Sequence, residues 1–418
     1  MNANKHCKFT YNSFFYSKGN VAQCCMQETL FRQLEWKTVS NLNDFYAAHD
    51  EFNETRTALD NGKEHSACQS CWAYENSGIA SMREQNLYYK ETQNDPPVID
   101  IRHVDLRLSN KCNLQCKMCH PGDSDQLVKL SLELTNKGIS NPFSDILPKN
   151  KTEDTAKLME LILELPNLEA IRFAGGEPFI MPEVETFLYK LVELNKTDIS
   201  IEFITNCTSA KPKIIELLEK FKHVDLMCSI DGVGDTLEYQ RYPAKWETVE
   251  NNFKRMYNSK CNTRIVPCIG LLNYLDLPRF MQWAEQFPKS LITYNEIQEP
   301  SFLDFRLIPI SVRKEFYWKF AAYTLPPVRD GVFRVVPRWH NFQEELMYEY
   351  REPTEEECCQ LYNYSKMWDY RCNEKFLDRY PWAEYMITRA IKGKGNDTGF
   401  NFRQEIQRRW SQIKWGRR

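Results

Sequence analysis

From Val98 onward the chain alternates between two hydrophobic rhythms. Val104-Asp105-Leu106-Arg107-Leu108 switches between apolar and polar residues as a half-buried strand does. Residues 170–174, 199–204, 224–230 and 264–272 are further runs rich in β-branched and aromatic residues, and they predict strands. Between them, apolar residues recur every three or four positions over 154–165, 182–194, 210–221 and 246–256, which predicts helices. Strands alternating with helices predict an α/β fold with a parallel sheet, closed as a barrel or left open. The first 95 residues keep neither rhythm for long and end at the turn-rich Asn94-Asp95-Pro96-Pro97. Residues 136–150 read as an irregular insertion. Beyond Pro300 the pattern is helical and aromatic, and it passes through a flexible Lys392-Gly393-Lys394-Gly395 link into a basic end. The expected domains are therefore 1–95, 96–300 and 301–418.

With 418 residues, 42% of them apolar, the chain can fill a large core, which excludes a disordered polypeptide. Lys and Arg number 54 against 57 Asp and Glu, a net charge of −3, so no global field for polyanions is expected. Apolar runs such as Leu161-Ile162-Leu163 are soon broken by charge, and no membrane span is expected. Met1 to Asn20 has no continuous apolar region of a secretory signal, so the expected location is the cytoplasm. Fifteen cysteines, an odd number, fit a disulfide framework poorly in a reducing compartment and point to metal instead.

Eight of the fifteen fall in the first 119 residues. The sharpest group is Cys112-x3-Cys116-x2-Cys119, on a loop directly after a predicted strand. A structural zinc site closes with four ligands. Here three thiols are supplied, and His120 is the sole fourth candidate close by in sequence. Three thiolates on a four-iron cluster leave one iron open to a chelating ligand. Upstream, Cys7, the Cys24-Cys25 doublet and Cys68-x2-Cys71 form a second group, for which zinc and iron–sulfur both stay open. Cys207, Cys228, Cys261, Cys268, Cys358, Cys359 and Cys372 are scattered and read as ordinary buried thiols. A further metal site at Cys358, Cys359 and Cys372 is the lesser alternative.

The three-cysteine spacing after a first strand resembles the signature of the radical S-adenosylmethionine (SAM) superfamily, and further features follow in that family's order. Gly175-Gly176-Glu177, closing the next strand, resembles the family's GGE motif. The resemblance implies a close backbone approach to the ligand at the glycines and a carboxylate for the methionine ammonium. Ile204-Thr205-Asn206-Cys207-Thr208 resembles a TNGT strand end, with Cys207 where glycine is usual. Ser229-Ile230-Asp231-Gly232 resembles the strand end that faces the ribose. Glu238 to Pro243 resembles the segment whose arginine, here Arg241, approaches the methionine carboxylate. Asn273 sits where the family makes further adenosine contacts, and Met118 stands where many relatives carry an aromatic residue.

The resemblance implies a partial (β/α)6 TIM-like barrel with a small N-terminal cysteine-rich domain and a helical C-terminal extension. Cys112, Cys116 and Cys119 would hold a [4Fe–4S] cluster whose open iron binds SAM. A one-electron reductant such as flavodoxin or ferredoxin would feed it. The 5′-deoxyadenosyl radical so formed would abstract hydrogen from a substrate that the sequence does not name. The N-terminal cysteines, with Glu75, Gly78, Ser81 and Arg83, resemble an N-terminal twitch domain, implying an auxiliary cluster on Cys7, Cys24, Cys68 and Cys71, with Cys25 the rival to Cys24.

Two rival classes explain less. A zinc-stabilised interaction or nucleic-acid-binding protein accounts for the cysteines and for the basic, aromatic end (Arg403, Arg408, Arg409, Trp410, Lys414, Trp415, Arg417, Arg418), but not for the strand-end motifs. An amphipathic terminal helix is the simpler reading of that end. A non-catalytic electron-transfer protein gives Glu177, Ser229 and Arg241 no task.

Overall fold

The structure, a computed structural model, describes residues 5–27, 30–32, 36–78, 80–87, 98–139, 155–297, 299–313 and 351–392. The 94–97 turn, residues 140–150 of the expected insertion, the 393–395 link and the basic end lie outside the described residues.

Eleven strands are described: β1 (Ser13–Ser17), β2 (Asn20–Ala22), β3 (Phe31–Arg32), β4 (His103–Arg107), β5 (Ala170–Phe173), β6 (Ser200–Thr205), β7 (Val224–Cys228), β8 (Asn262–Ile265), β9 (Cys268–Ile269), β10 (Leu291–Ile292) and β11 (Asn295–Glu296). Nine form one sheet in the order β10-β8-β7-β6-β5-β4-β1-β2-β3. From β10 to β1 every neighbour pair is parallel, and β2 and β3 add antiparallel strands at one edge. Among the described residues β10 and β3 are the sheet's two edges, and they do not pair with each other.

The α/β expectation and the central strands are borne out. Helices Ala156–Leu163, Pro182–Glu193, Pro212–Leu218 and Trp246–Tyr257 follow their strands as the apolar periodicity requires. Proline at the start of two of them suits the first helical turn, where an N–H has no partner to lose. Their apolar stripes cover one sheet face, with Phe187 edge-on to Phe173 at 6.1 Å.

Two differences have physical causes. The run 264–272 is not one strand. It breaks at Val266-Pro267, and β9 leaves the main sheet to pair with β11. A proline has no N–H for a ladder. The expected boundary at residue 95 also does not divide the sheet. β1, from the N-terminal segment, lies parallel beside β4, with Phe14 opposite Val104 and Tyr16 opposite Leu106. Phe14, Tyr16, Val21 and Tyr46 are fully buried in the same apolar core as the central strands.

Beyond the sheet, helix Glu355–Cys372 opens with a capping box of Thr354 and Glu357. Among the described residues no helix is long and apolar enough to cross a membrane.

Candidate functional site

The loop after β4 carries Cys112, Cys116 and Cys119, and its backbone is pinned from three sides. Cys112 N–H donates to Asp125 Oδ1 at 2.9 Å, and Ser124, the cap of helix Asp125–Asn136, donates to the Leu114 carbonyl at 2.6 Å. Gln115 N–H and Lys117 N–H donate to the carbonyls of Tyr242 and Gln240 at 2.6 and 2.7 Å. From the far side, Tyr364 of helix Glu355–Cys372 donates to the Lys117 carbonyl at 2.7 Å, and Arg371 Nε donates to Gln115 Oε1 at 2.9 Å.

Burial pushes all three thiols up, Cys119 to about 12, and Cys112 further raises both Cys116 and Cys119. A metal taking them as thiolates must therefore displace protons. Two donors reach the sulfurs: Arg241 Nη1 lies 3.8 Å from Cys116 Sγ, and Asn206 Nδ2 lies 4.0 Å from Cys112 Sγ. Clustered thiols with hydrogen-bond donors around them suit an iron–sulfur cluster, whose potential such donors tune.

The other sequence-predicted residues gather at the same strand ends. At Gly176 a Cβ would stand 2.1 Å from the Lys111 carbonyl oxygen, and Gly175 has φ +100°. The close approach these glycines permit is to the cysteine loop itself. Glu177 is fully buried. Its oxygens accept from Phe179 N–H at 3.1 Å, Thr205 Oγ1 at 2.8 Å and Asn206 N–H at 2.6 Å. Burial pushes its carboxyl up to about 7 against the pull of those donors. This carboxylate thus joins the ends of β5 and β6, where the resemblance implied an ammonium acceptor.

Arg241 and Asp231 form a buried ion pair at 2.6 Å. The second Asp231 oxygen accepts from Cys268 N–H at 2.8 Å, and its backbone carbonyl accepts from Asn273 Nδ2 at 2.7 Å. Asp231 and Arg241 are thus engaged with each other at the strand ends. Ser229 stays partly accessible at the end of β7. Cys207 has φ +60° and a buried side chain, so it occupies the left-handed backbone that favours glycine.

Sequence reading missed Lys117. It is 1% exposed, donates to Cys372 Sγ at 3.3 Å and lies over the rings of Trp368 and Tyr239 at 3.6 and 4.0 Å. A charged residue inside a cysteine loop was the available signal. Cys268, read as an ordinary thiol, sits within electrostatic reach of Asp231, Arg241 and Cys119, and burial pushes it up to about 12.

The second cysteine group also converges. Cys7, Cys24, Cys68 and Cys71 line one pocket with Gln27 and Arg83. Burial pushes Cys7 to about 12 and Cys68 to about 11, and both are raised further by Cys71. Arg83 binds Glu75 at 2.6 Å and the His6 carbonyl at 3.2 Å, while Ser81 donates to Glu75 at 2.6 Å. Three of the residues that resembled a twitch domain therefore brace the pocket wall. Gly78 has φ +75° and no nearby atom, so its requirement is the turn alone. Cys25 is not among the pocket's lining residues. Burial and the Asp105 carboxylate push it up, while Arg172 and Arg107 pull it down. Among the described residues no three Cys, His, Asp or Glu side chains are arranged to hold a single metal ion.

The Radical SAM superfamily profile matches residues 106–284, which hold the cysteine loop and every strand end described above. Radical SAM cyclopropyl synthase TigE of Paramaledivibacter caminithermalis is 29% identical over 177 residues, 41% of this chain and 36% of that protein. An uncharacterized protein of Methanocaldococcus jannaschii is 24% identical over 199 residues, 46% of this chain and 59% of that protein. The chain thus matches less than two thirds of the length of either relative. Among solved structures, Streptococcus suis SuiB bound to precursor peptide SuiA has 12% identity and a TM-score of 0.33, covering 64% of this chain and 62% of that one. His6-tagged anSMEcpe with bound AdoMet has 14% identity and a TM-score of 0.36, covering 54% and 58%. Through its residues 106–284 the chain is similar to the Radical SAM superfamily.

Proposed function

We propose that this protein is a radical SAM enzyme whose Cys112, Cys116 and Cys119 hold a [4Fe–4S] cluster and whose strand ends bind SAM. When bound, that cluster supplies the electron that cleaves the sulfonium of SAM to methionine and a 5′-deoxyadenosyl radical, which removes a hydrogen atom from substrate. The carrying observation is the three-thiol loop at the end of β4, with Arg241 and Asn206 directed at its sulfurs. The chain's own part is positional. Gly176 lets the next strand end press against the loop, Glu177 locks the β5 and β6 ends together, and Asp231 fixes the guanidinium beside Cys116. Ser229 and Asn206 are proposed to meet the nucleoside.

The pocket of Cys7, Cys24, Cys68 and Cys71 is proposed to hold an auxiliary iron–sulfur cluster, and its lining favours Cys24 over Cys25 as the ligand. A one-electron reductant of the flavodoxin or ferredoxin kind would complete the system, in a reducing compartment such as the cytoplasm that keeps fifteen cysteines as thiols. The test is anaerobic reconstitution with iron and sulfide, followed by SAM and dithionite. 5′-Deoxyadenosine should form with the parent and vanish when Cys112, Cys116 and Cys119 are all changed to Ala. Formation at the parent rate in that variant would overturn the assignment.

A further inference from the structure

Strands β4 to β8 present two unlike faces. On one, Leu106, Ile171, Ile201, Leu226 and Ile265 are each 0% exposed. The other carries Asp105, Arg172, Glu202, Asp225 and Asn262 in one row across the sheet, each opposite the next by register. Two residues further along, toward the strand ends that bear the cysteine loop, the same face carries Arg107 on β4, Ile204 on β6, Met227 on β7 and Arg264 on β8. A parallel sheet covered on both faces reads as continuous apolar runs. These strands alternate instead. Apart from Asp105, 9% exposed, the polar-face residues named here are partly or well accessible, with Phe15 lying against Arg107 at the β4 end.

The charges on this face are sorted by level. In the first row Arg172 is held between acids, 2.7 Å from Glu202 and 3.8 Å from Asp105. The row nearer the cysteine loop has cations and apolar side chains without an acid. The Nε of Arg107 and the Nε of Arg264 are each buried with no hydrogen-bond partner, although the Arg107 guanidinium lies over the Phe15 ring at 5.0 Å. Asp105 Oδ1, one level away, also lacks a partner. Buried donors without acceptors are costly, and a guanidinium fork matches a carboxylate closely.

We infer that the polar face of β4–β8, at the level of Arg107 and Arg264, binds a carboxylate-bearing substrate whose apolar part rests on Ile204 and Met227. At ~4.8 Å between neighbouring strands the two arginines stand about 19 Å apart along the sheet, so each takes its own carboxylate. That the ligand is a substrate rests on the function proposed above, whereas the anion site does not.

The experiment uses the whole chain with SAM added and two probes, hexanoate and its neutral isostere hexanamide, with binding read by ligand-observed NMR. Hexanoate should bind saturably, and hexanamide at least tenfold more weakly. The double variant Arg107→Gln/Arg264→Gln should lose at least tenfold in hexanoate affinity, while Arg107→Lys/Arg264→Lys, which keeps the charge but not the fork, should bind hexanoate more weakly than the parent and more tightly than the Gln variant. Equal binding of the two probes, or parent-like hexanoate binding by the Gln variant, would overturn the inference. SAM binding is measured on the same samples. A parent that binds SAM but not hexanoate sinks the anion site alone. A parent that binds hexanoate but not SAM sinks the radical SAM reading and leaves the anion site standing.

Discussion

Lys117 Nζ donates to Cys372 Sγ at 3.3 Å, tying the middle of the cysteine loop to the last residue of helix Glu355–Cys372. The ammonium is otherwise enclosed by the rings of Trp368 and Tyr239, and burial lowers it to about 8. Removing the sulfur leaves a buried donor with aromatic faces alone. Cys372→Ala should therefore cost about 1–3 kcal/mol in denaturant unfolding. An unchanged midpoint would show that Trp368 and Tyr239 suffice.

Gly176→Ala places a Cβ against a backbone carbonyl, which cannot swing aside as a side-chain tip can. Overpacking of this kind costs about 1–3 kcal/mol. The expected result is lower stability together with weaker iron retention, since the atom displaced belongs to the cysteine loop. Stability and iron content equal to the parent's would remove the glycine's proposed role.

Glu177 predicts a pH signature. Its folded-state carboxyl is raised from 4.5 to about 7 by burial, so the protonated form is the one the fold favours. Its stabilisation is fully present below about pH 4.5 and is lost as pH rises to about 7, a change of about 3 kcal/mol. In the metal-free protein, the difference in unfolding free energy between the parent and Glu177→Gln isolates this change from other carboxylates. A flat difference across that window would contradict it.

Thr354 accepts from Glu357 N–H at 3.1 Å while Glu357 accepts from Thr354 N–H at 2.9 Å and from Arg351 at 2.7 and 2.8 Å. Thr354→Ala should cost about 0.5–2 kcal/mol, the usual loss for an N-cap. Thermal unfolding with helicity monitored by circular dichroism checks it.

For the N-terminal pocket, the parent should carry roughly eight irons if both cysteine groups hold four-iron clusters. Cys68→Ala with Cys71→Ala should halve the iron and leave 5′-deoxyadenosine formation intact, because the ligands of the two groups lie on separate segments. Stoichiometric zinc in the parent would instead make the pocket a structural site.

Strands β4 to β7 were legible because one face of each is apolar and the other polar, so alternation survives in the sequence. β1 was not: Ser-Phe-Phe-Tyr-Ser is buried at every position and shows no period. In the candidate site, cysteine spacing and strand-end glycines pointed to residues that the fold brings together. The pairings did not follow from them. Arg241 reaches Asp231 and Cys116 through a fold that brings strand ends together, and nothing local in Glu238 to Pro243 encodes that choice. Cys207 is the reverse case: its departure from glycine was visible, and its positive φ supplies the reason glycine suits the position.

The parallel pairing of β1 with β4 also bears on synthesis. As the chain leaves the ribosome, β1 can pair with β2 at once, but its other edge has no partner until residue 107 has emerged. Throughout that interval a short, aromatic strand with unfilled backbone groups is offered to any neighbour. Pairings distant in sequence are slow to form, and exposed strand edges recruit other chains. Overexpression should therefore favour inclusion bodies, with chaperone supply or slower translation raising the soluble yield. Full-length chains whose Phe14 and Tyr16 are replaced by serine should escape that early hazard, and then fail for want of a core.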